Sequence, residues 1–374
     1  MSNPSSSHYF ARGNTARGAH FLYRSAFHGL NKIFILTGPP GTGKSTAIRN
    51  LADSLLDAGQ HVQQFHSPLR PDELDGIIAT ELKVGIVDGR VCEGISGIEM
   101  GEIAYINFEE AVDRRLLFPQ HQETIESLNI KLADAYAKAY ESFLTALRIH
   151  DEWEKYYIES MDFVKADQVT QNLIQDLFTG HETDTPTVGR HLFFGAATPK
   201  GALDFIQQLT APLERRIFIK GRPGSGKSTL LKKLAASAET NGIEVQVFHC
   251  GFDPNSLDML IFPQLSIAIF DSTAPHEYFP NRSGDEILDM YALTMTSGTD
   301  EAYATEISAI KERYSAKMKE ATSHLLFAAD IDSQIKAYYV AATNFSVIEE
   351  CKLHLQSELN ELLSDLIIGT KSYV

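Results

Sequence analysis

The strongest constraint on the fold is that the chain overlays itself. Shifted by 183 residues, the first half of the 374-residue sequence falls on the second without a gap from Phe10 to Asp88. Gly38-Pro-Pro-Gly-Thr-Gly-Lys-Ser45 meets Gly221-Arg-Pro-Gly-Ser-Gly-Lys-Ser228, Phe65-His66 meets Phe248-His249, and Leu74-Asp75 meets Leu257-Asp258. From the glycine-rich octapeptides to Asp88 and Asp271, roughly two positions in five are identical. Further on the register slips by one, and Tyr156-Tyr157 meets Tyr338-Tyr339. A period this long marks a duplicated domain. The segment Thr179–Gly189, rich in turn formers and poor in apolar residues, marks the boundary. The expected organisation is a frayed polar tail over 1–8, one domain over 9–180 and a second over 190–374.

Within each copy, short apolar runs alternate with helical patterns. His8–Phe10 and His191–Phe194 read as strands, as do Ile33–Leu36 and Ile217–Ile219, Val62–His66 and Val245–His249, and Val84–Asp88 and Ile267–Asp271. Thr15 and Thr198 read as helix N-caps. The expected fold class is α/β, with two tandem domains, each a parallel sheet flanked by helices. From Gln122 to Phe178, and again from Glu301 to Ile368, helical periodicity takes over. These stretches are expected to form antiparallel hairpins appended to each core, their apolar stripes packing the cores and pairing the two halves.

The octapeptides complete the pattern G-x-x-x-x-G-K-[ST] twice, each between an apolar strand and a helix. Backbone N–H groups of such a loop converge on phosphate, and the helix N-terminus adds its positive end. The candidate nucleotide-binding residues are Gly38, Pro39, Pro40, Gly41, Thr42, Gly43, Lys44, Ser45 and Thr46, with Gly221, Arg222, Pro223, Gly224, Ser225, Gly226, Lys227, Ser228 and Thr229 in the second copy. Lys44 and Lys227 would reach the terminal phosphates. Ser45 with Asp88, and Ser228 with Asp271, would hold Mg²⁺, each Asp ending an apolar strand. No Glu follows either Asp, so the base that would activate water is open. His276, Glu277 and Asp258 are the catalytic candidates, His276 foremost because imidazole titrates near neutrality. Arg17 and Lys200 read equally as solvated charges or as groups acting across the two halves.

Together with Phe10-Ala-Arg-Gly-Asn-Thr-Ala-Arg-Gly18, Leu82–Gly89, His150–Tyr157, Gly251–Asp258 and above all Ile267-Ala-Ile-Phe-Asp-Ser-Thr-Ala-Pro-His-Glu-Tyr-Phe-Pro280, these motifs resemble a family of uncharacterised bacterial tandem P-loop ATPases. The resemblance implies ATP binding, a duplicated α/β core and no particular substrate, so the expected cofactors are ATP from the resemblance and Mg²⁺ from the Ser and Asp residues above. It also exposes a departure. The Thr273-Ala-Pro-His276 segment has no counterpart after Asp88, where Gly89-Arg90-Val91-Cys92-Glu93 stands. The second site is therefore expected to be the more active one in a Mg-dependent ATPase. A small-molecule or nucleotide kinase and an ATP-gated interaction switch with an unidentified protein partner are the alternatives.

A net charge of −16 opposes binding to nucleic acid and anionic lipid. No apolar run is long enough to span a bilayer. Three separated cysteines (Cys92, Cys250, Cys351) fit a reducing, cytoplasmic setting and give no zinc pattern.

Overall fold

The computed structural model describes residues 5–95 and 101–371. In the first repeat the elements are β1 (Ser6–Tyr9), β2 (Arg12–Thr15), β3 (Gly18–Phe21), α1 (Tyr23–Ala26), β4 (Lys32–Thr37), α2 (Lys44–Asp57), β5 (Val62–His66), β6 (Leu74–Ala79), β7 (Val84–Asp88), β8 (Glu102–Asn107), α3 (Pro119–Ile158) and α4 (Phe163–Phe178). In the second they are β9 (Arg190–Leu192), β10 (Gly195–Thr198), β11 (Gly201–Asp204), α5 (Ile206–Thr210), β12 (Arg215–Lys220), α6 (Lys227–Thr240), β13 (Gln246–His249), β14 (Leu257–Phe262), β15 (Ile267–Asp271), β16 (Asp285–Asp289), α7 (Met290–Thr294), α8 (Thr299–Ala302), α9 (Ala304–Ala342) and α10 (Phe345–Lys371). The fold is α/β, with two mainly parallel sheets of matching order, β1-β5-β6-β7-β4-β8 and β9-β13-β14-β15-β12-β16.

Three expectations are corrected. The sheets are mixed, because β6 and β14 run antiparallel to both neighbours. Their connections, 67–73 and 80–83 in the first repeat, are too short for a parallel crossover, which takes a dozen residues or more. The stretches at Thr15 and Thr198 are not helix starts but tight hairpins, β2–β3 and β10–β11. There Gly18 and Gly201 take φ of +91° and +99°, and each Thr hydroxyl bonds the glycine carbonyl across the turn (2.7 Å). Finally, residues 6–8 of the expected tail belong to the strand Ser6–Tyr9, held in parallel register on β5. Residues 1–4 of that tail, and the side chain of Cys92, lie outside the described residues.

Packing follows a different division from the repeat. One compact unit comprises residues 1–12, 21–136 and 324–374, and the other 13–20 and 137–323. In the first, α10 lays Ile348, Leu355 and Leu359 against α2 (Ile48, Leu51, Leu55) and the sheet. In the second, α4 lays Leu177 and Phe178 against α6 (Leu230, Leu231, Leu234) and its sheet. The helix that ends the first repeat thus covers the core of the second unit, which is where its apolar stripe is buried. Among the described residues no helix is long and apolar enough to cross a membrane.

Each unit contains the same histidine pair, half-buried except for His66, which is buried. His8 Nδ1 lies 2.8 Å from His66 Nε2, and His66 Nδ1 lies 2.6 Å from the Pro71 carbonyl. His191, His249 and Pro254 repeat this at 2.8 and 2.6 Å. A carbonyl can only accept, so Nδ1–H of His66 donates to it and Nε2 is left to accept from His8. Burial pushes both His66 and His249 down to about 4, and lowers His8 and His191 as well. The unfolded chain therefore binds more protons than the folded one between about pH 6.5 and 4, and stability is present above that window and lost on descending through it. Each of the two deepest histidines accounts for up to about 3 kcal/mol. Asp258, pushed up to about 6 mainly by burial, and Glu154, also raised by burial, act in the opposite direction, against seven histidines that burial lowers. The urea midpoint should fall steeply from pH 7 to pH 5, and a His66→Gln/His249→Gln variant should show a distinctly shallower fall. Parallel pH profiles for the two proteins would refute the assignment.

Candidate functional site

In the second unit, β12 delivers the chain into the loop 221–226, and α6 begins at Lys227. Gly224 and Gly226 sit at φ +73° and +82°, where a side chain is strained, and the loop curls back so that Ser225 N–H donates to the Arg222 carbonyl (3.1 Å). Lys227 Nζ donates to the Arg222 carbonyl (2.9 Å) and lies 3.6 Å from Asp271 Oδ2, on the adjacent strand β15. Ser228 Oγ, in the first turn of α6, accepts from Leu257 N–H (3.0 Å). Ser225 Oγ is buried with no hydrogen-bond partner in the described structure. A buried hydroxyl is costly without a partner, so this loop fits a ligand bearing acceptor oxygens. The donors, the lysine and the Ser228–Asp271 pair could together hold a polyphosphate with a divalent cation.

The loop opens into a cavity of about 910 Å³. Lys227, Ser228, Thr229, Asp258, Asp271, His276 and Glu277 all line it, so the second-copy candidates are brought together. His276 Nδ1 lies 2.7 Å from Asp204 Oδ2, and Tyr278 Oη donates to Asp204 Oδ1 (2.8 Å). Burial works to raise the Asp204 carboxyl, but these two hydrogen bonds outweigh it and hold it below its ordinary value. An ionised carboxylate accepts Nδ1–H and leaves Nε2 as the basic nitrogen, the arrangement of an oriented general base. Asp204 was not among the sequence candidates. Its signal was its place at the end of β11, which looked like helix when read from sequence alone. Asp258 takes a hydrogen bond from Cys250, with burial first and the Asp271 charge second keeping it protonated up to about 6. Glu277 is drawn toward Lys220 (3.7 Å) and is 55% exposed, which makes it a poor base. Arg222 is held by Asp300 (2.7 Å), itself bonded by Tyr157 Oη (2.7 Å). Arg17 belongs to this unit and donates to Asp253 (2.8 Å), bracing the 250–256 loop.

The first copy repeats the strand, loop and helix, with Gly38 at φ +126° where Gly221 is not left-handed, and has different contents. Gly43 repeats the left-handed turn at φ +86°, and Ser45 Oγ accepts from Leu74 N–H (2.8 Å). Thr42 Oγ1, unlike Ser225, is satisfied by the Pro39 carbonyl (2.9 Å). Lys44 is 3% exposed and donates to the Gly38 and Pro39 carbonyls (2.6 and 2.7 Å). Burial pushes its ammonium down to about 8. Asp88 is clasped by Arg90 through Nε and Nη2 (3.0 and 2.8 Å), and Asp75 by Arg12 (2.6 Å). The second copy has Thr273 and Gly195 at those two arginine positions. Thr273 only donates a neutral hydroxyl to Asp271 (2.7 Å). Arg90 therefore supplies Asp88 with the positive charge that a cation would supply, and the pair is already neutral.

No protein-family model, curated protein or solved structure matches the chain.

Proposed function

We propose that the protein is a Mg²⁺-dependent nucleoside-triphosphate hydrolase, most simply an ATPase, working at its second glycine-rich loop. The observation that carries this is the contrast between two copies of one motif. The second opens on a large cavity with an orphaned Ser225 hydroxyl and an unneutralised Asp258, whereas the first has its carboxylates paired by arginines. Gly221–Thr229 would cradle the phosphates, with Lys227 against the terminal pair, and Ser228 and Asp271 would hold Mg²⁺. The bound cation would draw charge from the transferring phosphoryl group. His276, turned by Asp204, would take the proton of the attacking water. The first loop would serve as a filled copy that maintains its unit's structure.

Steady-state phosphate release from MgATP tests this. Asp271→Asn should abolish most turnover, and Asp88→Asn should leave kcat within a few-fold. Equal loss in both variants would overturn the asymmetry. No release by the wild type, with MgATP bound, would favour the kinase or switch alternatives.

A further inference from the structure

In both units a long helix rests its backbone on the middle glycine of the glycine-rich loop. A Cβ at Gly224 would lie 2.7 Å from the Glu154 carbonyl oxygen of α3, and one at Gly41 would lie 2.6 Å from the Lys336 carbonyl oxygen of α9. Both approaches are closer than a side-chain carbon comes, so each seat requires glycine. Glu154 and Lys336 are also equivalent in sequence, in the slipped register that pairs Tyr156-Tyr157 with Tyr338-Tyr339. The backbone contact is therefore duplicated, and the side chain upon it reverses its charge. Lys336 turns to carboxylates, donating to both oxygens of Glu73 (2.6 and 2.7 Å) and lying 3.1 Å from Asp332. Glu154 is half-buried against its loop. Burial, and then the Asp151 charge, raise its carboxyl, against the Lys227 charge and the Gly224 N–H that it faces. His150 Nδ1 lies 3.6 Å away on a ring that burial keeps neutral. Further along α3, Tyr157 Oη donates to Asp300 (2.7 Å), which also takes Arg222 of the loop (2.7 Å), so the helix is tied down where Glu154 meets Gly224.

We infer that the Glu154 carboxylate is a built-in competitor for the second loop: it faces the Gly224 N–H that a phosphate oxygen would take, and phosphate binds only by displacing it. The inference rests on the reading of Gly221–Thr229 as a phosphate cradle. Carboxylate and phosphate are both oxyanions and seek the same backbone donors and the same positive helix end. They repel each other at close range, so the two do not share the seat. The competition also selects among ligands. A single phosphate must offset the lost Glu154 contact alone, whereas a polyphosphate with its cation adds contacts from Lys227, Ser228 and Asp271. In the first copy, Lys336 stands at the competitor's position and is engaged elsewhere, so this device belongs to the second loop.

Calorimetric titration of the full-length protein with inorganic tripolyphosphate and Mg²⁺ tests this through binding, whether or not the protein turns over nucleotide. Glu154→Gln keeps the shape and removes the charge, and Glu154→Ala removes the side chain. Both should bind about tenfold more tightly than the wild type, the factor by which a loop open about a tenth of the time lowers apparent affinity. Asp151→Asn removes an equal charge from an exposed position on the same helix. Its charge opposes ionised Glu154, so the variant keeps the competitor in place and should bind no more tightly than the wild type. Unchanged or weaker affinity in both Glu154 variants would overturn the inference and leave the phosphate cradle standing. Equal tightening in Asp151→Asn would reduce the effect to general charge repulsion and overturn it too. Absence of binding in the wild type and every variant would remove the cradle itself, and the competitor with it.

Discussion

Replacing His276 by alanine should lower steady-state phosphate release by about 10²–10⁴-fold while leaving MgATP affinity within a few-fold. The two effects would separate because the proposed phosphate contacts come from Gly221–Thr229, whereas His276 follows the strand that ends at Asp271. The ring is fixed from two sides, by the Asp204 carboxylate at 2.7 Å and by Phe194, whose ring it meets edge-on at 5.2 Å. Asp204→Asn removes the charge that fixes the tautomer but keeps the shape. It should cut kcat by a smaller factor than His276→Ala and change the acid limb of the kcat–pH profile. Truncating a histidine that merely shaped the loop would leave turnover at the wild-type level. If His276→Ala instead lost nucleotide binding, the residue would be a ligand contact and not the base.

The duplication, the glycine-rich loops and the strand-end aspartates were legible because each depends on short-range pattern. An apolar strand followed by G-x-x-x-x-G-K-S can do little else than turn into a helix, and Lys44 and Lys227 do begin helices. What was not legible depends on contacts distant in sequence. β6 and β14 carry strand-like apolar residues, but their reversed direction is decided by the length of the connecting loops, a signal that periodicity does not contain. Arg90 stood in plain view as the departure after Asp88. Its consequence, a neutralised carboxylate, appears only once its side chain is seen to turn back on the residue two positions earlier. Asp204 and His276 are far apart in the chain, and no local pattern pairs them. The packing of α4 and α10 was hidden for the same reason: an apolar stripe announces that a helix will be covered without naming the partner.

The lysines give the sharpest test of the two-copy asymmetry. Lys227→Ala should remove MgATP binding at accessible nucleotide concentrations and with it all turnover, because a charge-assisted contact to phosphate is lost where little else neutralises the ligand. Lys44→Ala should leave the binding stoichiometry unchanged. The Lys44 ammonium is buried with its donors committed to the Gly38 and Pro39 carbonyls, so it is held away from an incoming phosphate. Its removal empties a buried donor position and should lower thermal stability instead, since two carbonyls lose their partner. Equilibrium dialysis with labelled ATP separates the outcomes. One nucleotide per chain in the wild type, none in Lys227→Ala and one in Lys44→Ala is the expected series. Two per wild-type chain, falling to one in either variant, would show that the arginines of the first copy yield to nucleotide and that the site is not closed.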